Sequence, residues 1–198
     1  MIWKTFILMI LNISSITIDD KQPEELGKVN WLRDYDFAMQ KADETNLPVL
    51  ILFQEVPGCQ TCRDFGAGPL SHPLLVEAME DLFVPVLVYN NKQGTDAQWL
   101  KKFSEPSWNN PVARILDGNK RDIIPRINGV YKPRGIATKI IEALRKADVD
   151  VPVGASKTLA AVAADDEVSE EHRTLLNQLY VRIGGEKVWR LPLAAPQS

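Results

Sequence analysis

Residues Val49-Leu-Ile-Leu-Phe53 are apolar without interruption, and the chain's only two cysteines, Cys59 and Cys62, follow shortly after. A strand with one wet face alternates apolar and polar residues, whereas an unbroken run fits a strand covered on both faces. That requirement constrains the fold more than any other stretch, because something must lie above the strand and something below it. Asp34 to Ala42 meets part of the need. It places Tyr35, Ala38, Met39 and Ala42 at helical spacing, and Asn46-Leu47-Pro48 ends the helix.

Leu82 to Tyr89 reads as a second buried strand, with Pro85 marking its entrance or an irregularity. Between the two strands lie a short helix from Cys59 to Phe65, interrupted by Gly66-Ala-Gly-Pro69, and a second helical piece. Ser71 is the expected cap of that piece, Pro73 suits its first turn, and Leu74, Leu75, Ala78 and Met79 supply its apolar face. Asp96 to Phe103 reads as a helix. Val112 to Leu116 and Asp122 to Arg126 flank the turn signal Asp117-Gly118-Asn119 and are expected to pair as a hairpin. Pro133 to Lys146 is a helix with Ile136, Ile140, Ala143 and Leu144 on one face. This order predicts an α/β three-layer sandwich with a mixed β-sheet. Tyr35, Phe83 and Trp31 are expected in the core, and Arg114 and Arg126 as solvated hairpin charges.

The chain has 198 residues, 45% of them hydrophobic and 25% charged, enough for one cored domain with additional chain at its ends. The expected division is a signal peptide or leader over 1–18, a domain over 21–148, and a linker with a short helical C-terminal appendage over 149–198. In that last part Lys157 to Ala164 is alanine-rich, and Ser169 to Tyr180 reads as a capped helix. A formal net charge of -3 and the lack of a basic block argue against nucleic-acid partners. No apolar stretch is long enough for a membrane span. Lys4 followed by Thr5 to Leu11 favours export to the periplasm or outside the cell, with a cytoplasmic protein as the alternative.

Two cysteines spaced Cys-x-x-Cys at the start of a helix make a redox pair. The free N–H groups and dipole of the helix start favour a thiolate at Cys59, and Cys62 lies one turn on, close enough to close a disulfide. A structural zinc site needs about four ligands. The soft donors here are Cys59, Cys62, His72 and His172, the last in the C-terminal part, so no metal is expected. His72 reads as a surface residue at a helix start, and Glu55 as either a proton shuttle or a solvated loop acid. Trp108, Asn109 and Asn110 either face a substrate or pack their own loop.

Trp31-Leu-Arg-Asp-Tyr35, Phe53-Gln-Glu-Val-Pro-Gly-Cys59, Leu70-Ser-His-Pro-Leu74, Phe83-Val-Pro85, Tyr89-Asn-Asn91 and Trp108-Asn-Asn-Pro111 occur in this order. In them the chain resembles a thioredoxin-like family, and in detail a bacterial subgroup with a Val-Pro-Gly-Cys or selenocysteine motif. The resemblance runs from Trp31 to about Leu144. It implies a thioredoxin-like fold, and a selenocysteine at the position of Cys59 in relatives implies that Cys59 is the attacking atom. It also implies a cis-proline facing the cysteines, for which Pro111 is the best match ahead of Pro106 and Pro125. Three features of thioredoxin itself are missing. Leu50 to Phe53 holds no acid where thioredoxin has a buried one, and the tryptophan before the first cysteine and the proline between the two are replaced by Gly58 and by Gln60-Thr61.

The expected activity is that of a thiol-disulfide oxidoreductase serving cell redox homeostasis, with Cys59 as nucleophile and Cys62 as resolving thiol. Pro111, Asn110, Trp108 and Gly58 are the expected substrate-binding residues. No cofactor is expected. The partners are protein or small-molecule thiols and disulfides, with a dithiol electron donor. The alternatives are a peroxide or methionine-sulfoxide reductase partner, in which Cys59 passes through a sulfenic acid, and a non-enzymatic binding module that uses the fold as a groove.

Overall fold

The computed structural model describes residues 22–109 and 111–164. The leader expected over 1–18, the helix expected from Ser169 to Tyr180, His172 and Asn110 lie outside the described residues. The first helix, α1 (Tyr35–Thr45), starts where Asp34 accepts a hydrogen bond from the Phe37 N–H, and it ends at Asn46 in the left-handed conformation. Its expected apolar face, Tyr35, Ala38, Met39 and Ala42, is buried.

The strand β1 (Val49–Gln54) is buried at every residue. It pairs in parallel with β2 (Val84–Tyr89), Val49 opposite Val84, and antiparallel with β3 (Val112–Leu116), Phe53 opposite Val112. With β4 (Ile127–Asn128) these make a mixed four-stranded sheet of order β2-β1-β3-β4. The two faces of β1 account for its unbroken apolar sequence. Val49, Ile51 and Phe53 join one apolar cluster with α1 and with Leu100 of α4 (Thr95–Phe103). Leu50 and Leu52 join the other, with α2 (Gln60–Ala67), α3 (Pro73–Asp81), α5 (Pro133–Lys146) and α6 (Val153–Ala164). The strand is therefore the middle layer of three, and period-two side-chain direction sends alternate residues into opposite cores.

Pro85 sits inside β2, and its missing N–H explains where it is tolerated. Leu32 donates to the Pro85 carbonyl and accepts from the Leu87 N–H, so residues 85 and 87 turn their polar groups toward the outer edge rather than toward β1. A proline on that side costs no bond to β1.

Three local expectations change. α2 continues through Gly66 to Ala67 instead of breaking there, and a 3-10 turn, Pro69–Ser71, links it to α3. Ser71 does not cap α3: its hydroxyl donates back to the Gly66 carbonyl, and His72 holds the cap position. The second hairpin strand is not continuous over 122–126. Asp122 bridges Leu116, and pairing resumes only at Ile127 with Ala113. Pro125 has no N–H to give the ladder, and Ile124 in the interruption is buried in the core.

The helix α6 closes the second layer, with Ala155, Leu159 and Val162 buried in the same cluster as α3 and α5. Among the described residues no helix is long and apolar enough to cross a membrane.

Candidate active site

Cys59 is the residue just ahead of α2, extended at φ -71 and ψ 175, and it is exposed. Cys62 lies one turn inside the helix and is wholly buried. The two sulfurs are 3.4 Å apart and both thiols are free. The N–H of Cys62 above all, then the Cys62 side chain and the Thr61 N–H, hold the Cys59 thiol below its ordinary value against a smaller effect of burial. Burial first, then the bond to Cys59 and its charge, pushes the Cys62 thiol up to about 12. Position decides the difference: the first sulfur faces the free amides of a helix start and the second faces the core.

The approach to Cys59 is tightly held. A methyl group built on Gly58 would stand 2.6 Å from Cys62 Cβ and 2.6 Å from the Glu55 carbonyl oxygen, so only glycine fits. The Asn91 side chain accepts from the Val56 N–H and donates to the carbonyls of Val56 and Pro57. The Val56–Pro57 peptide bond is cis. On one side of Gly58, Glu25 Oε1 accepts from its N–H at 2.7 Å; on the other, Arg63 donates to its carbonyl at 2.6 Å.

Glu25 is the residue the sequence reading missed. It lies ahead of α1 in the 3-10 turn Glu24–Leu26, with Glu25 only 5% exposed. Its backbone carbonyl accepts from Gln54, whose amide also donates to the Cys62 carbonyl at 3.3 Å. The turn presses directly on α2 at Gly66, where a methyl group would stand 1.9 Å from the Glu24 carbonyl oxygen. Gly66 is thus a contact point within the helix, not its breaker. A glycine within a helical segment was the one available signal that another backbone approaches there.

The other expected residues divide. The register carries Pro111, buried just ahead of β3, level with Gln54, the end of β1 from which the cysteine loop departs. The bond that joins Pro111 to Asn110 lies outside the described residues. Trp108 is 81% exposed in the loop after α4. The Asn109 amide oxygen, turned toward Arg126, accepts from its guanidinium at 3.1 Å. Arg114 is not the solvated charge expected, its side chain being 15% exposed, while Arg126 is exposed, as expected, but ion-paired. Both bind Glu105, whose carboxylate side chain is 1% exposed, and Arg114 also binds Asp122. His72 is buried rather than on the surface. The donor atoms of Glu55, Cys59 and Cys62 lie within 4.8 Å of one another, and these are the residues nearest to a metal-binding set among those described.

Residues 30–118 match a family model described as thioredoxin-like. A solved structure titled "DsbH Oxidoreductase" is similar at 14% identity and a TM-score of 0.50, covering 69% of this chain and 96% of its own. No curated protein matches. The mixed sheet with helices on both faces is a thioredoxin-like fold.

Proposed function

We propose that this chain, with its thioredoxin-like fold, is a thiol-disulfide oxidoreductase that works through Cys59 and Cys62. The observation that carries the reading is an exposed sulfur held below its ordinary pKa, 3.4 Å from a buried sulfur held far above it. That asymmetry divides the labour between attacker and resolver.

The Cys59 thiolate attacks one sulfur of a substrate disulfide. The substrate S–S bond breaks, a mixed disulfide forms, and the departing thiolate takes a proton. Cys59 then no longer carries a charge, so the part of the Cys62 shift due to that charge disappears. Cys62 gives up its proton and attacks Cys59 Sγ, the substrate's second thiolate leaves, and the Cys59–Cys62 disulfide closes. Two electrons have passed to the substrate, and a dithiol protein or small thiol restores them by the reverse exchange. Exposed Trp108 and Pro111, which the strand register sets level with Gln54, are the rim we assign to an extended substrate segment bound by strand addition.

The test is dithiol-dependent reduction of a model disulfide by the full chain. Wild type is expected to catalyse it, Cys59→Ser to abolish it, and Cys62→Ser to stall as a trapped mixed disulfide. A wild-type protein that is inert here but loses its Cys59 thiol rapidly to peroxide would replace this reading with the peroxide-reducing one.

A further inference from the structure

The two peptide groups that flank Gly58 are held by opposite charges. Glu25 takes the N–H on one side, and Arg63 gives to the carbonyl of the peptide that leads directly into Cys59. The burials differ as well. Glu25 is 5% exposed, whereas the Arg63 side chain is 38% exposed and pairs with the exposed Glu24 at 3.4 Å. A charge shielded from water acts more strongly on its neighbours and is screened less by salt.

Resting on the redox reading of the cysteine pair, we propose that Glu25 and Arg63 are positioning residues that set the ionisation of Cys59 from opposite sides. The Glu25 carboxylate opposes the thiolate and the Arg63 guanidinium favours it, while both hold Gly58 in the conformation that Cys59 requires. Among the described residues, the other charged or titratable groups around Cys59 are Cys62 and, bound to Gln60, Asp64 on the same helix, Glu55, whose carboxylate lies within 4.8 Å of both sulfurs, and Glu24 beyond Arg63. Glu55 and Glu24 are more open to water than Glu25, so their influence is the more easily screened.

The experiment is the rate of iodoacetamide alkylation of Cys59 against pH, on the reduced full chain, for wild type, Glu25→Gln and Arg63→Gln. Glutamine keeps an acceptor oxygen at position 25 and a donor nitrogen at position 63, so each substitution removes charge while sparing the hydrogen-bonding group. Glu25→Gln is expected to lower the midpoint and Arg63→Gln to raise it, each by about 0.5 pH unit or more, roughly a threefold change in thiolate at fixed pH. In high salt the Arg63→Gln shift should shrink and the Glu25→Gln shift should persist. The Cys59–Cys62 pair of Glu25→Gln should also equilibrate with glutathione at a more oxidising potential, because a stabilised thiolate favours the reduced form. Loss of packing alone would move both midpoints the same way. Shifts of equal sign, or an unmoved midpoint in Glu25→Gln, overturn the proposal. If Glu25→Gln does not fold, Arg63→Gln still decides, since a lowered or unmoved midpoint there is also fatal. Alkylation reads the thiol directly, so a protein that reduces no disulfide yet shows opposed midpoints sinks the functional reading and leaves this one standing.

Discussion

At Gly58 the absence of a side chain is what lets the two cysteines share one turn. A single methyl group would meet Cys62 Cβ and the Glu55 carbonyl oxygen, both at 2.6 Å, and neither can swing away as a flexible side-chain tip would. Gly58→Ala is therefore expected to cost about 1–3 kcal/mol in denaturant unfolding of the reduced protein. It should also slow disulfide reduction, because the relief comes from moving Cys59 or Cys62. An unchanged midpoint and rate would show that the loop yields freely. The cysteine spacing was legible in the sequence because three residues along a helix make one turn, whatever packs around it. The carboxylate behind Gly58 was not, because Glu25 and Gly58 are 33 residues apart and nothing in either local pattern points to the other.

Among the elements, the helices were legible in outline and their connections were not. Tyr35, Ala38, Met39 and Ala42 announced α1 because burial of one face imposes a period that composition reveals. The hairpin read from Asp117-Gly118-Asn119 has the expected turn, where the Asp117 side chain accepts from the N–H groups of Asn119 and Arg121. Its second strand breaks around Pro125, and its arginines, Arg114 largely buried and Arg126 exposed, both pair with Glu105. That ion cluster ties the start of the Trp108 loop to β3 and to the segment before β4. Glu105→Ala should cost about 3 kcal/mol by chemical denaturation, since it strands Arg114, whose side chain is only 15% exposed. It should also raise the KM for a peptide disulfide more than it lowers kcat if the Trp108 loop forms the rim. A stability loss under about 0.5 kcal/mol would mean that the arginines rehydrate at little cost.

For the whole molecule, two measurements test how the parts combine. Leu159 on α6 is buried in the cluster that holds α3 and α5, so Leu159→Ala is expected to destabilise the fold by about 2–5 kcal/mol in a single cooperative transition. A separate early transition, with the rest unaffected, would instead make α6 an independent unit. The second measurement is the pH dependence of unfolding for the reduced protein against the disulfide form. Cys59 is lowered in the folded state, so the unfolded chain binds more protons and the Cys59 contribution to stability grows as pH rises toward the ordinary thiol range. Cys62 is raised to about 12, so above the ordinary thiol range the unfolded chain releases its proton first and stability falls with pH up to about 12. The reduced form should therefore gain stability and then lose it across this range, a curvature in which neither thiol can take part once they are joined. Buried Tyr35, also raised to about 12, adds a fall at high pH to both forms. From sequence alone came what depends on neighbours in the chain: the doubly covered strand, the amphipathic helices and the cysteine pair at a helix start. Only the tertiary structure decided which distant charges stand against that pair. The apolar pattern states that a surface is buried but not which other surface buries it, and the groups around Cys59 are brought together by that second choice.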